Sequence, residues 1–204
     1  MKRERNSRLA RVHQSLGVLG AGNIAAEVIK RAVAFGMPVV MWSRRFNGQN
    51  RALTPAEAQQ MGLDHAGAHV MLAPTPGDVA SRADVLSLHL ALGPETKGMV
   101  NADILGRLKP GAMVINTARA EVVDAAALRA AIKDRQLRVG LDVFAEEPAT
   151  PAGEFADPIA SDPGVIGTHH IGASTDQAQE AIAAETVRIV KSFKDTGKAP
   201  NAVN

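Results

Sequence analysis

The chain has 204 residues, enough to bury one sizeable core, and 46% of them are hydrophobic, an ordinary share for a globular domain. It contains no cysteine, which excludes disulfides, thiolate catalysis and cysteine-held metals, and no apolar run approaches the roughly 18 residues of a membrane span. The net charge of +2 gathers at the start, where Lys2, Arg3, Arg5, Arg8 and Arg11 face Glu4 alone, so it argues neither for nucleic acid nor for a membrane surface as a partner.

Residues 1–14 read as a basic, solvated and flexible segment, although an Arg-rich, acid-poor start is also the composition of a transit segment. Leu16, Val18 and Leu19 then form an apolar run of strand length that breaks into Gly20-x-Gly22-x-x-Ala25. Ile24, Ala25, Val28, Ile29, Ala32 and Val33 follow at helical spacing, and the helix is expected to stop at Gly36, before Pro38. With a second strand at Val39 to Trp42 this makes a complete βαβ unit. Such a turn lets backbone amides approach a pyrophosphate, and alanine is tolerated in the third slot because that residue only packs helix against strand. Gly20, Gly22, Asn23 and Ile24 are therefore candidate dinucleotide contacts. After the second strand comes Ser43-Arg44-Arg45, where an acidic residue would bind a ribose 2′-hydroxyl. Two arginines suit a 2′-phosphate, so NADP is the expected cofactor. NAD stays open as the lesser reading, in which both arginines face solvent and Ser43 merely spares NAD.

Further strands are expected at Val70–Leu72, Val85–Leu88, Ala112–Ile115, Val139–Leu141 and Val165–Ile166, and helices at 77–83, 102–107, 125–134 and 174–195. Asn101, Asp124 and Ser174 read as helix caps, Ser174 with Gln177 as a capping box. Segments 46–68 and 145–163 read as loops. The alternation predicts an α/β fold: a doubly wound parallel sheet of about seven strands with helices on both faces. With no internal repeat or long linker, residues 15–204 read as one dinucleotide-binding domain.

Three later segments are distinctive: Ile115-Asn116-Thr117-Ala118-Arg119, Leu141 through Pro148 (LDVFAEEP), and His170-Ile171-Gly172-Ala173-Ser174-Thr175. Together with the glycine turn, Ser87-Leu88-His89-Leu90, Pro94 to Gly98 and the ending Pro200 to Asn204, they resemble the nucleotide-binding domain of the D-isomer-specific 2-hydroxyacid dehydrogenases. That family includes phosphoglycerate, glyoxylate and hydroxypyruvate reducing enzymes. The resemblance implies an oxidoreductase that moves a hydride between a nicotinamide cofactor and a small 2-oxo or 2-hydroxy acid. It implies that Arg119 grips the substrate carboxylate and carbonyl, that His170 is the general acid and base, and that Glu147 pairs with it. Asp142, the backbone near Thr117, and Gly172 are the matching cofactor contacts.

The chemistry needs these types. A histidine near neutral pKa can give and take the proton on the carbonyl oxygen, and a neighbouring carboxylate favours its charged form. An arginine fork binds a planar carboxylate in two places. Taken singly, Glu147 would pass for a solvated loop acid and Arg119 for a surface charge. His169 stands where the family usually has proline, which leaves one of the two histidines structural. His89 reads as a packed, hydrogen-bonded histidine and Asp84 as a turn residue. Ala120 and Ala91 replace the family's usual glycine and proline.

Family members carry a separate substrate domain that this sequence largely lacks, so a non-catalytic dinucleotide-binding module, redox-sensing or partner-binding, is the alternative expectation. A homodimer is the assembly that the family suggests, although the elements that often build it fall in the same lacking part. A cytoplasmic location suits the absence of cysteine.

Overall fold

The computed structural model describes residues 14–145, 147, 157–200 and 202. The basic segment 1–14, but for its last residue, lies outside the described residues, as does much of the 145–163 excursion, including Pro148. The chain divides into two compact units, Met1–Thr168 and His169–Asn204.

The first unit is built on seven strands: β1 (Leu16–Leu19), β2 (Val39–Trp42), β3 (Val70–Leu72), β4 (Val85–Leu88), β5 (Met113–Asn116), β6 (Arg138–Leu141) and β7 (Val165–Gly167). They pair in the order β3-β2-β1-β4-β5-β6-β7, and every pairing is parallel. β1 and β2 are buried at all four positions, as expected for strands covered on both faces. Side-chain alternation divides them between two cores. Leu16 and Val18 of β1 and Val39 and Met41 of β2 pack with Ala25, Ala26, Ile29 and Ala32 of α1 (Asn23–Ala34). Leu19, Val40 and Trp42 face the other way. There they meet Val79 and Ala80 of α3 (Pro76–Arg82), Ile104 and Leu105 of α4 (Ala102–Arg107), and Leu128, Ala131 and Ile132 of α5 (Ala125–Arg135). The expected doubly wound sheet is the sheet observed, and its chain order reverses between β1 and β4.

Helix ends follow the sequence closely. α1 ends at Ala34 and Gly36 takes φ +74°, the left-handed residue that closes a helix. Asn101 and Asp124 accept from the amides of Ile104 and Ala127, as caps should.

Two expectations are corrected. Segment 46–68 is not all loop: α2 (Pro55–Gln60) forms behind a full capping box of Thr54 and Glu57, with Pro55 at the first helical position, and a 3-10 turn spans Asp64–His69. Leu53, Ala58 and Leu63 bury this insertion against the α1 side of the sheet. In the second unit, α6 (Asp176–Thr196) is capped by Thr175 rather than Ser174. Its other end is closed by Gly197 at φ +68°. Among the described residues no helix is long and apolar enough to cross a membrane.

Candidate functional site

The glycine turn is pinned from both neighbouring strands. Gly20 N–H donates to the Trp42 carbonyl at 2.8 Å, and the Leu19 carbonyl accepts from His89 N–H at 2.8 Å. Gly20 has φ +113°, and a Cβ there would lie 2.2 Å from the His89 carbonyl oxygen, so no other residue fits. Gly22 differs. Its φ of −83° suits any residue, and nothing of the protein lies within 4 Å of a Cβ built on it. Space is kept open there in front of the first turn of α1, where unpaired amides favour an anion.

Gly22, Asn23 and Ile24 line one cleft of about 590 Å³ together with His89, Leu92, Thr117 and Arg119. These residues follow the C-terminal ends of β1, β4 and β5, at the reversal of strand order, where open α/β sheets bind ligands. Asn116, the last residue of β5 and 1% exposed, sets the Thr117–Arg119 loop. Its amide nitrogen donates to the Arg119 carbonyl at 2.9 Å and its oxygen accepts from Ala118 N–H at 3.0 Å. The Arg119 guanidinium is exposed and donates to the Ala118 carbonyl at 2.7 Å. The motif around Asn116 does not by itself give that residue a role; an amide side chain directly before a candidate loop is the signal that marks it.

His89 is the packed, hydrogen-bonded histidine expected. Its Nε2 lies 2.9 Å from Ser87 Oγ, and burial depresses its pKa by penalising the imidazolium. It also forms part of the cleft wall, which the sequence did not reveal.

On the β6 loop, Asp142 is buried and its Oδ1 accepts from Thr168 Oγ1 at 2.6 Å, tying the end of β6 to the end of β7. Half-buried Glu147 accepts from Phe144 N–H at 2.6 Å. His170 and Gly172 belong to the second unit, where His170 holds φ +56°, an uncommon conformation for a residue with a side chain.

Beyond β2 the two arginines part company. Arg45 Nη2 donates to Gln60 and its guanidinium lies 5.1 Å from the ring centre of buried Phe46, so it is turned onto the α2 insertion. Arg44 instead reaches Glu95 on the loop after β4, at 2.7 Å. Ser43 is 7% exposed, and its Oγ has no hydrogen-bond partner among the described residues. An unpaired buried hydroxyl costs about 1–3 kcal/mol, so a polar ligand atom at this place would have a waiting donor. The open turn and the buried Ser43 hydroxyl fit a bound dinucleotide.

The sequence is similar to known proteins over most of its length. A family model described as D-isomer specific 2-hydroxyacid dehydrogenase, NAD binding domain, matches residues 2–172. The D-3-phosphoglycerate dehydrogenase of Mycobacterium bovis is 36% identical over 194 residues, covering 94% of this chain and 33% of that protein. Among solved structures, a glyoxylate reductase from Paecilomyes thermophila has a TM-score of 0.75 at 28% identity, over 93% of this chain and 52% of the other. A formate dehydrogenase from Granulicella has a TM-score of 0.73 at 25% identity, over 93% and 46%. The chain thus spans a third to about half the length of these relatives.

Proposed function

The chain belongs to the D-isomer-specific 2-hydroxyacid dehydrogenase family, whose NAD-binding domain it carries, and from that premise we propose that it serves the reduction of a small 2-oxo acid such as glyoxylate or hydroxypyruvate, with NADP preferred over NAD. The observation that carries this reading is the single cleft shared by the Gly22–Ile24 turn and the Thr117–Arg119 loop. Support for NADP comes from Ser43 and Arg44: a buried hydroxyl without a partner among the described residues, followed by an exposed guanidinium whose ion pair to Glu95 is open to exchange for a 2′-phosphate.

The bound nicotinamide would supply the hydride. The chain's own residues do the rest. The turn that Gly20 bends and Gly22 keeps open exposes the amides at the start of α1, which receive the pyrophosphate. Thr117 and Asp142 hold the carboxamide side, with Asp142 fixed by Thr168. Arg119, its loop braced by Asn116, orients the substrate carboxylate. His170 delivers the proton to the carbonyl oxygen, and Glu147 is the carboxylate that the family resemblance assigns to the same chemistry. A left-handed backbone at His170 is the kind of local strain that working side chains tolerate.

The test is NADPH oxidation by the purified chain with glyoxylate and with hydroxypyruvate. Turnover that Arg119→Ala abolishes, with dinucleotide affinity retained, is the expected result. Bound NADPH without turnover on any small 2-oxo acid would refute the catalytic reading for this chain.

A further inference from the structure

We propose that Glu95 is a built-in competitor of the cofactor's 2′-phosphate for Arg44, and so sets how sharply the chain separates phosphorylated from unphosphorylated dinucleotides. This rests on the reading of Arg44 as a phosphate ligand. In the sheet β1 lies between β2 and β4, so Arg44, two residues after β2, and Glu95, on the loop after β4, stand on opposite sides of the glycine turn. Two strand spacings of roughly 4.8 Å separate their strands, a gap that a long arginine and a glutamate close together. The 2.7 Å pair therefore arches across the edge from which the dinucleotide would bridge β2 to β4.

Both ends of the pair are held in place. Arg44 opens a 3-10 turn anchored by Phe46, which is 1% exposed. Glu95 precedes Thr96, whose buried Oγ1 donates to the Ala91 carbonyl at 2.6 Å and accepts from Gly93 N–H at 2.9 Å. The carboxylate thus stands on a stapled loop and meets Arg44 without reordering the chain.

The pair itself is open to water, with side chains 72% and 70% exposed. Exposed pairs of this kind are weak and easily exchanged. A 2′-phosphate, carrying nearly two charges and three acceptor oxygens, outcompetes a single carboxylate for the same guanidinium. Each NADPH that binds must still release Arg44 from Glu95 and leave that carboxylate near the phosphate. NADH incurs neither cost, because it presents no group for Arg44. The carboxylate therefore weakens NADPH selectively and narrows the difference between the cofactors.

The measurement is equilibrium titration of NADPH and NADH, followed by the fluorescence of Trp42, the sole tryptophan, in the wild type, Glu95→Gln, Arg44→Ala and the double variant. Glu95→Gln should bind NADPH about two- to fivefold more tightly, and leave NADH affinity unchanged. The gain should vanish in the Arg44→Ala background, as a double-mutant cycle requires of a shared interaction. If the wild type prefers NADPH but Glu95→Gln changes neither cofactor, or tightens both alike, the competition is wrong while the phosphate reading stands. If the wild type shows no preference and Arg44→Ala alters nothing, the phosphate reading fails and the competition falls with it.

Discussion

Alanine at Gly20 and at Gly22 should separate folding from binding, although the two positions are only two residues apart. At Gly20 the backbone has φ +113°, and the added carbon would lie 2.2 Å from the His89 oxygen and 2.7 Å from its carbonyl carbon. Both are main-chain atoms, and His89 N–H is already bonded to Leu19, so neither can retreat without breaking the β1–β4 junction. Backbone strain of about 1–3 kcal/mol plus one or two weakened ladder bonds gives a loss of about 2–4 kcal/mol. For a domain of this size that lowers Tm by roughly 5–15 °C. At Gly22 the methyl group enters open space on an ordinary backbone, so stability should stay within about 1 kcal/mol of wild type. The same methyl group stands where a pyrophosphate must approach. Displacing one charge-assisted hydrogen bond costs about 1.5–3 kcal/mol, or roughly 10- to 150-fold in dinucleotide affinity. Thermal unfolding and a fluorescence titration on both variants decide it. A Gly22→Ala protein that unfolds early, or binds as tightly as wild type, would refute the reasoning.

Three further outcomes are expected. Asp84 Oδ2 accepts from both the amide and the hydroxyl of Ser15, at 2.9 and 2.8 Å, and its Oδ1 from Lys109 at 3.0 Å. Burial pushes its pKa up, but those donors outweigh it and the net shift is downward. Asp84→Ala should therefore lose about 1–3 kcal/mol at pH 7 by denaturant titration, and the native contribution should fade only in acid, as pH falls from the unfolded aspartate value through the lowered native one. For His89, whose native pKa is depressed by burial, the unfolded chain takes up a proton first; stability should fall as pH drops below about 6.5, and His89→Gln should flatten that slope between pH 7 and 5. Asn116→Ala leaves Ala118 N–H and the Arg119 carbonyl without their brace, so it should cost about 1–3 kcal/mol and lower turnover while NADPH affinity changes little; unchanged turnover would remove Asn116 from the account of Arg119.

Much of the fold was legible because its signals are local. Fully apolar runs such as Val39–Trp42 are what a strand buried on both faces requires, and β2 occupies those residues. Caps at Asn101 and Asp124 depend on one side chain and one amide three residues on, a relation visible in any linear reading. α2 escaped for the opposite reason. With six residues it has little periodicity to detect, and Leu53, Ala58 and Leu63 become core only because α1 and β3 lie beneath them. The site was legible as residue types, less so as partners. Nothing near Arg44 or Arg45 tells them apart, since Glu95 and Gln60, which separate them, lie far along the chain. Likewise the bare hydroxyl of Ser43 and the brace from Asn116 are products of burial, which pattern alone does not give.

The most direct measurement is the titration of the wild-type chain with NADPH and NADH in parallel, read through Trp42, whose indole N–H is held by Asn47 at 3.0 Å at the end of β2. Saturable quenching by both, with NADPH binding about ten- to a hundredfold more tightly, is what a dinucleotide turn flanked by a guanidinium that exchanges Glu95 for a 2′-phosphate predicts. No saturable response to either cofactor would contradict the glycine turn as a dinucleotide site, and equal affinities would contradict the part given to Ser43 and Arg44.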